Sequence, residues 1–510
     1  MRVVTHQPYT LDEPISYVVG SGKLTIDELE KIIFSKKVTY TLAPEAIARI
    51  QKCRDYLDNK VAKSEKPLYG ITTGFGSLCN ISVSQEELTT LQENLVKSHS
   101  CSYGDEVPEP VVKLMLLLKA HALSLGHSGV QVATVQRLVD MLNEEIYPIV
   151  YDKGSLGASG DLAPLAKLFL PLIGEGEVYY KGKKMTSKEA FKKAKLETIT
   201  LQSKEGLALL NGTQFMSSHG VYALILARRA ERMALKVAAL SLEAFDGLEA
   251  PFTPQIQKVR PHAGQAVVAK TIRDLLKGSK LQKVSKPQVQ DPYSFRCIPQ
   301  VHGASYDAWQ YACKVIETEI NSVTDNPTIF PDDDLIVSGG NFHGQPIALV
   351  FDYLALSIAE VGNISERRTA QLILGLRQLP EFLVAKPGLN SGFMIPQYAA
   401  AAMVSQNKMY CFNASSDSIV SSNGQEDHVS MGANAAIKLL PLLDNLYAIL
   451  GVELMNGAQA LALRKGEEKT SKPLQELYKE FRKVVPMVQD DVVMYKQMQD
   501  AADFVYGYQL

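Results

Sequence analysis

Cysteine, net charge and clean apolar runs are all scarce in this sequence, and each scarcity excludes a class of protein. Six cysteines (Cys53, Cys79, Cys101, Cys297, Cys313 and Cys411) stand among 510 residues. With no CxxC pair and no histidine cluster at zinc spacing, neither a disulfide framework nor a metal site is expected, and a reducing cytoplasm fits best. The 53 Lys+Arg oppose 55 Asp+Glu for a formal net charge of −2, so the basic excess of a nucleic-acid binder is missing. Hydrophobic residues make up 46%, which excludes a disordered chain. The charged fraction, 21%, lies below the ~25% usual in globular proteins, so an unusual share of surface is expected to be hidden in one core or between subunits. Val111 to Leu125 is broken by Lys113, Lys119 and His121, short of the ~18 apolar residues of a membrane span. The opening stretch Met1 to Pro8 lacks the apolar centre of a signal peptide, so a soluble protein outside the membrane is expected.

What is abundant is helical periodicity. Val135, Leu138, Val139, Leu142 and Ile146 recur at spacings of three and four, placing one apolar stripe on a helix that Pro148 stops. Thr213 to Leu242 is rich in Ala, Leu and Met around most of its circumference, as expected for a helix inside a bundle. Similar runs cover Ile347 to Leu376, Gln397 to Tyr410 and Gly432 to Leu463. Strand signals are short: Glu177 to Met185 and Thr328 to Val337 read as surface hairpins. Length alone favours roughly three domains. The pattern replaces that with a mainly α chain: a smaller α-rich part over residues 1–125, then a long central helical bundle over 126–510 with a few short hairpins.

Glycines gather in two loops, Tyr69-Gly70-Ile71-Thr72-Thr73-Gly74-Phe75-Gly76 after the polar stretch Ala62 to Lys66, and Gly154 to Ala166. The second reads as a turn opening into a helix, with Asp161 placed to be its N-cap. A phosphate cradle is excluded because no Gly-Lys-Ser/Thr follows and GxGxxG is absent. Ala158-Ser159-Gly160 permits a different chemistry. If the Gly160 nitrogen attacks the Ala158 carbonyl carbon, loss of water there and from Ser159 leaves a five-membered ring with an exocyclic methylene, and small residues allow that attack.

Gly154 to Ala166 resembles the signature of the aromatic amino acid ammonia-lyases, whose Ala-Ser-Gly triad forms a methylidene-imidazolone electrophile. Tyr69 to Gly76 resembles that family's mobile tyrosine loop, and Glu205 to Gln214 its asparagine segment. Gln290 to Val301, Asn321 to Pro327, Gly339 to Gly344 and Gln425 to Met431 match further blocks in the family's order. The resemblance implies a 4-methylidene-imidazole-5-one built from Ala158, Ser159 and Gly160, with no dissociable cofactor and no metal. It implies Tyr69 as the base that takes the β-proton and Tyr293 as a second phenol. It further implies Arg296 on the substrate carboxylate, Asn211 and Gln290 as hydrogen-bonding groups, and Phe342 packed beside the substrate. An ordinary tyrosine titrates near ~10, so Tyr69 needs a neighbour that stabilises phenolate.

Two places bear on the substrate. Ser98-His99 resembles the histidine-acting members rather than the Phe-Leu pair of phenylalanine lyases, although some tyrosine lyases share it. Glu426, before Asp427-His428-Val429-Ser430-Met431, resembles the histidine-acting members where phenylalanine and tyrosine lyases usually carry Gln. A carboxylate accepts an imidazole N–H in a charge-assisted bond worth ~1.5 to 3 kcal/mol. Gly388 to Ile395 points the same way. The resemblance therefore implies elimination of ammonia from L-histidine to give trans-urocanate, in a homotetramer whose subunits share active sites. A tyrosine or phenylalanine ammonia-lyase, an aminomutase, and an inactive helical scaffold with an unreacted tripeptide remain the alternatives.

Overall fold

Long apolar helices occupy the centre of the computed structural model, which describes residues 10–63, 67–78 and 80–509. The opening stretch Met1 to Pro8, residues 64–66 of the polar stretch and Cys79 lie outside those described. Six helices position the site: α1 (Glu109–Ser124), α2 (Glu205–Leu210), α3 (Gln214–Ala244), α4 (Ile298–Ile320), α5 (Gln345–Leu372) and α6 (Leu439–Leu463). The 31-residue α3 is buried along nearly its whole circumference, as its Ala, Leu and Met content requires. It packs on α6, which packs on α5, which packs on α4. Helices approach closely where side chains vanish: a Cβ on Gly220 would stand 2.1 Å from the Phe351 ring, so α3 and α5 meet there only because residue 220 is glycine.

One buried ion pair locks α5 to α6. Arg368 donates through Nε to Glu453 Oε1 at 2.6 Å and through Nη2 to Oε2 at 2.8 Å, while Ser365 Oγ donates to Oε2 at 2.6 Å. Both charged side chains are fully buried, and removing one partner of such a pair costs about 3 to 5 kcal/mol. By length and composition α5 and the Gly432–Leu463 stretch could cross a membrane, but 61% and 67% of their most apolar windows are buried within the protein. Here they serve as core helices.

The expected helices and hairpins are present with adjusted ends. The run begun at Ile347 stops at Leu372, and Gly432 to Leu463 divides into Gly432–Ile437 and α6 around Lys438, just before Pro441. Ile146 leaves the helix: Val132–Asn143 ends first, and Ile146–Pro148 pairs with Glu177–Tyr180, which in turn pairs with Lys183–Thr186. Thr328–Phe330 and Leu335–Val337 form the second hairpin. A parallel pair, Ile15–Val19 with Val38–Leu42, is joined by the helix Ile26–Phe34 and was not expected. One buried apolar cluster runs from Val19 to Tyr506.

Candidate active site

The chain bends at residues 157–159 and then enters the helix Leu162–Phe169. Gly160 sits at φ +79°, bridged to Gly212, and a Cβ there would fall 2.2 Å from the Gly212 carbonyl oxygen. No side chain fits, so the third residue of the tripeptide has to be glycine. Asp161 does not cap the helix that follows. Its buried carboxylate instead accepts from Ser155 Oγ at 2.8 Å and from the Met216 backbone N–H at 2.9 Å, because the helix start lies within reach of α3. Burial pushes the Asp161 carboxyl up to about 7 against the pull of those donors.

Three segments distant in sequence close on Ser159. From the end of α2, Asn211 Nδ2 donates to the Ser159 carbonyl at 3.0 Å. From the Gln425–Met431 segment, Glu426 Oε1 accepts from Ser159 Oγ at 2.8 Å, and its Oε2 accepts from Ser421 Oγ at 2.6 Å. That segment is pinned behind the tripeptide by Met431 N–H to the Leu156 carbonyl, 3.0 Å. From the N-terminal part comes the loop of Tyr69, held by Gly70 N–H to Thr73 Oγ1 at 3.0 Å. The Tyr69 hydroxyl accepts from the Gly76 backbone N–H at 3.3 Å, a donor of the kind that stabilises phenolate.

These groups line a cleft with two lobes. A lobe of about 620 Å³ is walled by Tyr69, Ser159, Asn211, Phe342 and Glu426. A lobe of about 420 Å³ shares Tyr69, Ser159, Asn211 and Glu426 and adds His99. His99 ends the helix Leu88–His99 with Nδ1 3.0 Å from Ser98 Oγ, and burial pushes its imidazole pKa below the usual value, so it is neutral at pH 7. The rim is closed by Ser422 Oγ accepting from the Ser77 N–H and Asn423 Nδ2 donating to Ser77 Oγ, both at 3.3 Å.

Gln290, Tyr293 and Arg296 are not in this cleft. They form their own cluster, with Arg296 Nη1 donating to Gln290 Oε1 at 2.9 Å and its guanidinium 4.6 Å from the centre of the Tyr293 ring, which is 71% exposed. Two cleft residues, His343 and His428, carried no assignment from the sequence. Their Nε2 and Nδ1 atoms lie 3.2 Å apart and their rings stack at 5.3 Å. Both stand inside motifs already singled out, and only their juxtaposition was hidden.

The helical bundle is that of a mainly α-helical protein, and its relatives make it a carbon–nitrogen lyase. The aromatic amino acid lyase family matches residues 24–483, and the chain belongs to that family. It is 48% identical over 476 residues to the histidine ammonia-lyase of Caldanaerobacter subterraneus subsp. tengcongensis, covering 93% of each chain. Among solved structures it superposes on histidine ammonia-lyase from Trypanosoma cruzi with TM-score 0.89 at 38% identity, covering 97% of this chain and 93% of that one. Tyrosine aminomutase from Streptomyces globisporus gives TM-score 0.91 at 34% identity, with 97% of each chain covered.

Proposed function

We propose that the chain is a histidine ammonia-lyase, releasing ammonia and trans-urocanate from L-histidine in the cytoplasm. The observation that carries this reading is the Glu426 carboxylate at hydrogen-bond distance from Ser159, with neutral His99 in the same cleft. A carboxylate beside the reacting centre favours an imidazole N–H over a phenyl ring, which would leave Oε1 without a donor once the Ser159 hydroxyl has gone, while Oε2 keeps Ser421.

Ala158-Ser159-Gly160 fits a methylidene-imidazolone: the bend is tight, residue 160 admits no Cβ, and Asn211 braces the Ser159 carbonyl. That ring supplies an electrophilic carbon, which an amino acid with a poor leaving group requires. The remaining work falls to side chains. Tyr69, its hydroxyl already hydrogen-bonded, takes the β-proton. Phe342 packs on the substrate, and Glu426 and His99 orient the imidazole. Arg296 binds the carboxylate through its planar guanidinium, with Gln290 and Tyr293 beside it.

Because that last cluster lies apart from the cleft, the reading includes a homotetramer in which neighbouring subunits complete each site. Leu349, Tyr353 and Leu356 support it. They stand at spacings of four and three on α5 and are 56%, 46% and 49% exposed, an apolar face that packing would cover. A tyrosine-acting enzyme is the second reading, favoured by the likeness to the tyrosine aminomutase. Incubation with L-histidine, L-tyrosine and L-phenylalanine, following the ultraviolet bands of urocanate, coumarate and cinnamate, separates the two. Turnover of tyrosine without histidine would overturn the first.

A further inference from the structure

We propose that Lys119 is a positioning residue for the cofactor-forming tripeptide, its buried ammonium fixing the Asn211–Gly212 turn against which Ala158-Ser159-Gly160 closes. The inference rests on the reading that this tripeptide cyclises. Lys119 lies in the interior of α1 and is 1% exposed. Its Nζ donates to the Ala208 carbonyl at 3.0 Å and to the Asn211 carbonyl at 2.6 Å. Both oxygens sit at the C-terminal end of α2, where helix carbonyls lack intrahelical partners and the helix dipole favours a cation.

Both partners being neutral carbonyls sets Lys119 apart from Lys204, the other buried ammonium nearby, which is paired with Asp325 at 2.6 Å. Burying an ammonium without a salt bridge is costly, and burial pushes the Lys119 pKa down to about 7. What the ammonium holds is the turn that meets the tripeptide on two sides. Asn211 Nδ2 reaches the Ser159 carbonyl at 3.0 Å, and the Gly212 carbonyl accepts from the Asp161 N–H at 2.8 Å, beside the Gly160–Gly212 bridge.

Ring closure needs that brace. A bond forms between the Gly160 nitrogen and the Ala158 carbonyl carbon. The Ala158 oxygen leaves as water with the amide hydrogens of Gly160 and Ser159, and Ser159 Oγ leaves as a second water with its own hydrogen and the Cα hydrogen. No oxidant is consumed. Attack demands that the two ends of the tripeptide be held in a compressed bend, and a displacement of one ångström loses such an arrangement. Without the ammonium, the Ala208 and Asn211 carbonyls lose their donor and the turn is free to shift.

The test compares wild type with Lys119→Met, Lys119→Gln and Lys119→Arg by intact mass and by thermal melting. Wild type is expected to be lighter than its calculated mass by two waters. Lys119→Met should keep its full mass in more than half of its chains, with kcat falling in the same proportion and KM unchanged. Lys119→Arg, which keeps donors on a long stem, should restore the mass deficit. A folded Lys119→Met with the complete two-water deficit would overturn the proposal. Should that variant fail to fold, a complete deficit in Lys119→Gln would overturn it instead, and a partial one would support it. Wild type at its full calculated mass would sink the cyclisation reading itself.

Discussion

Ser159 and Glu426 are the residues on which the proposed chemistry turns. Ser159→Ala removes the oxygen that must leave, so it should abolish turnover and keep the first water-loss step from being followed by the second. A far-ultraviolet circular dichroism spectrum identical to wild type would show the fold unharmed. Glu426→Gln is more selective. The amide retains an oxygen to accept the Ser159 hydroxyl, so the mass deficit should persist, while loss of the charge lowers kcat/KM for histidine about 10 to 100-fold. An unchanged kcat/KM would move substrate recognition to His99 and the rim. Residues carried by contiguous motifs were legible because a motif is a local object: Tyr69, Ser159, Asn211 and Glu426 do converge. His343 and His428 were visible in the same motifs but not as a pair, since their contact is 85 residues apart in sequence.

Among the elements, α3 carries a buried titratable group that the mechanism does not use. Glu231 is 9% exposed, its Oε1 has no hydrogen-bond partner among the described residues, and burial pushes its carboxyl up to about 8. In the unfolded chain the same group releases its proton near ~4.5, so the folded state holds the extra proton between those values. Its contribution to stability is therefore complete below about 4.5 and is lost as pH rises through about 8. Glu231→Gln stays neutral throughout. Its melting temperature should exceed that of wild type by a margin that grows from pH 5 to pH 8, and a constant margin would show Glu231 ionised in the folded state. Helices of this kind were legible because a period of 3.6 survives over 20 to 30 residues. The parallel strands Ile15–Val19 and Val38–Leu42 were not. Val38-Thr39-Tyr40-Thr41-Leu42 does alternate, but five residues give little periodic signal, and parallel pairing is decided by a partner 23 residues away. Ile146 fitted the helical stripe by spacing alone, yet the strand edge at Glu177–Tyr180 claimed it.

For the whole molecule, the low share of charged residues now has a location. Part is the cluster running from Val19 to Tyr506, and part is the apolar face of α5 left open on a single chain. If neighbouring subunits complete each site as proposed, no reading of one sequence conveys which copy of the chain supplies each motif, because all copies are spelled alike. In the proposed tetramer, the separation of Arg296 from the Ser159 cleft has a consequence outside structure. A Tyr69→Phe chain and an Arg296→Met chain should each be nearly inactive, since each spoils every site in its own assembly. Co-expressed and assembled together, they should place an intact Tyr69 beside an intact Arg296 in about a quarter of the sites. Recovered urocanate production would measure it, and none would mean that both residues serve a site from the same copy. In the language of inheritance, two null alleles of this one gene would complement each other.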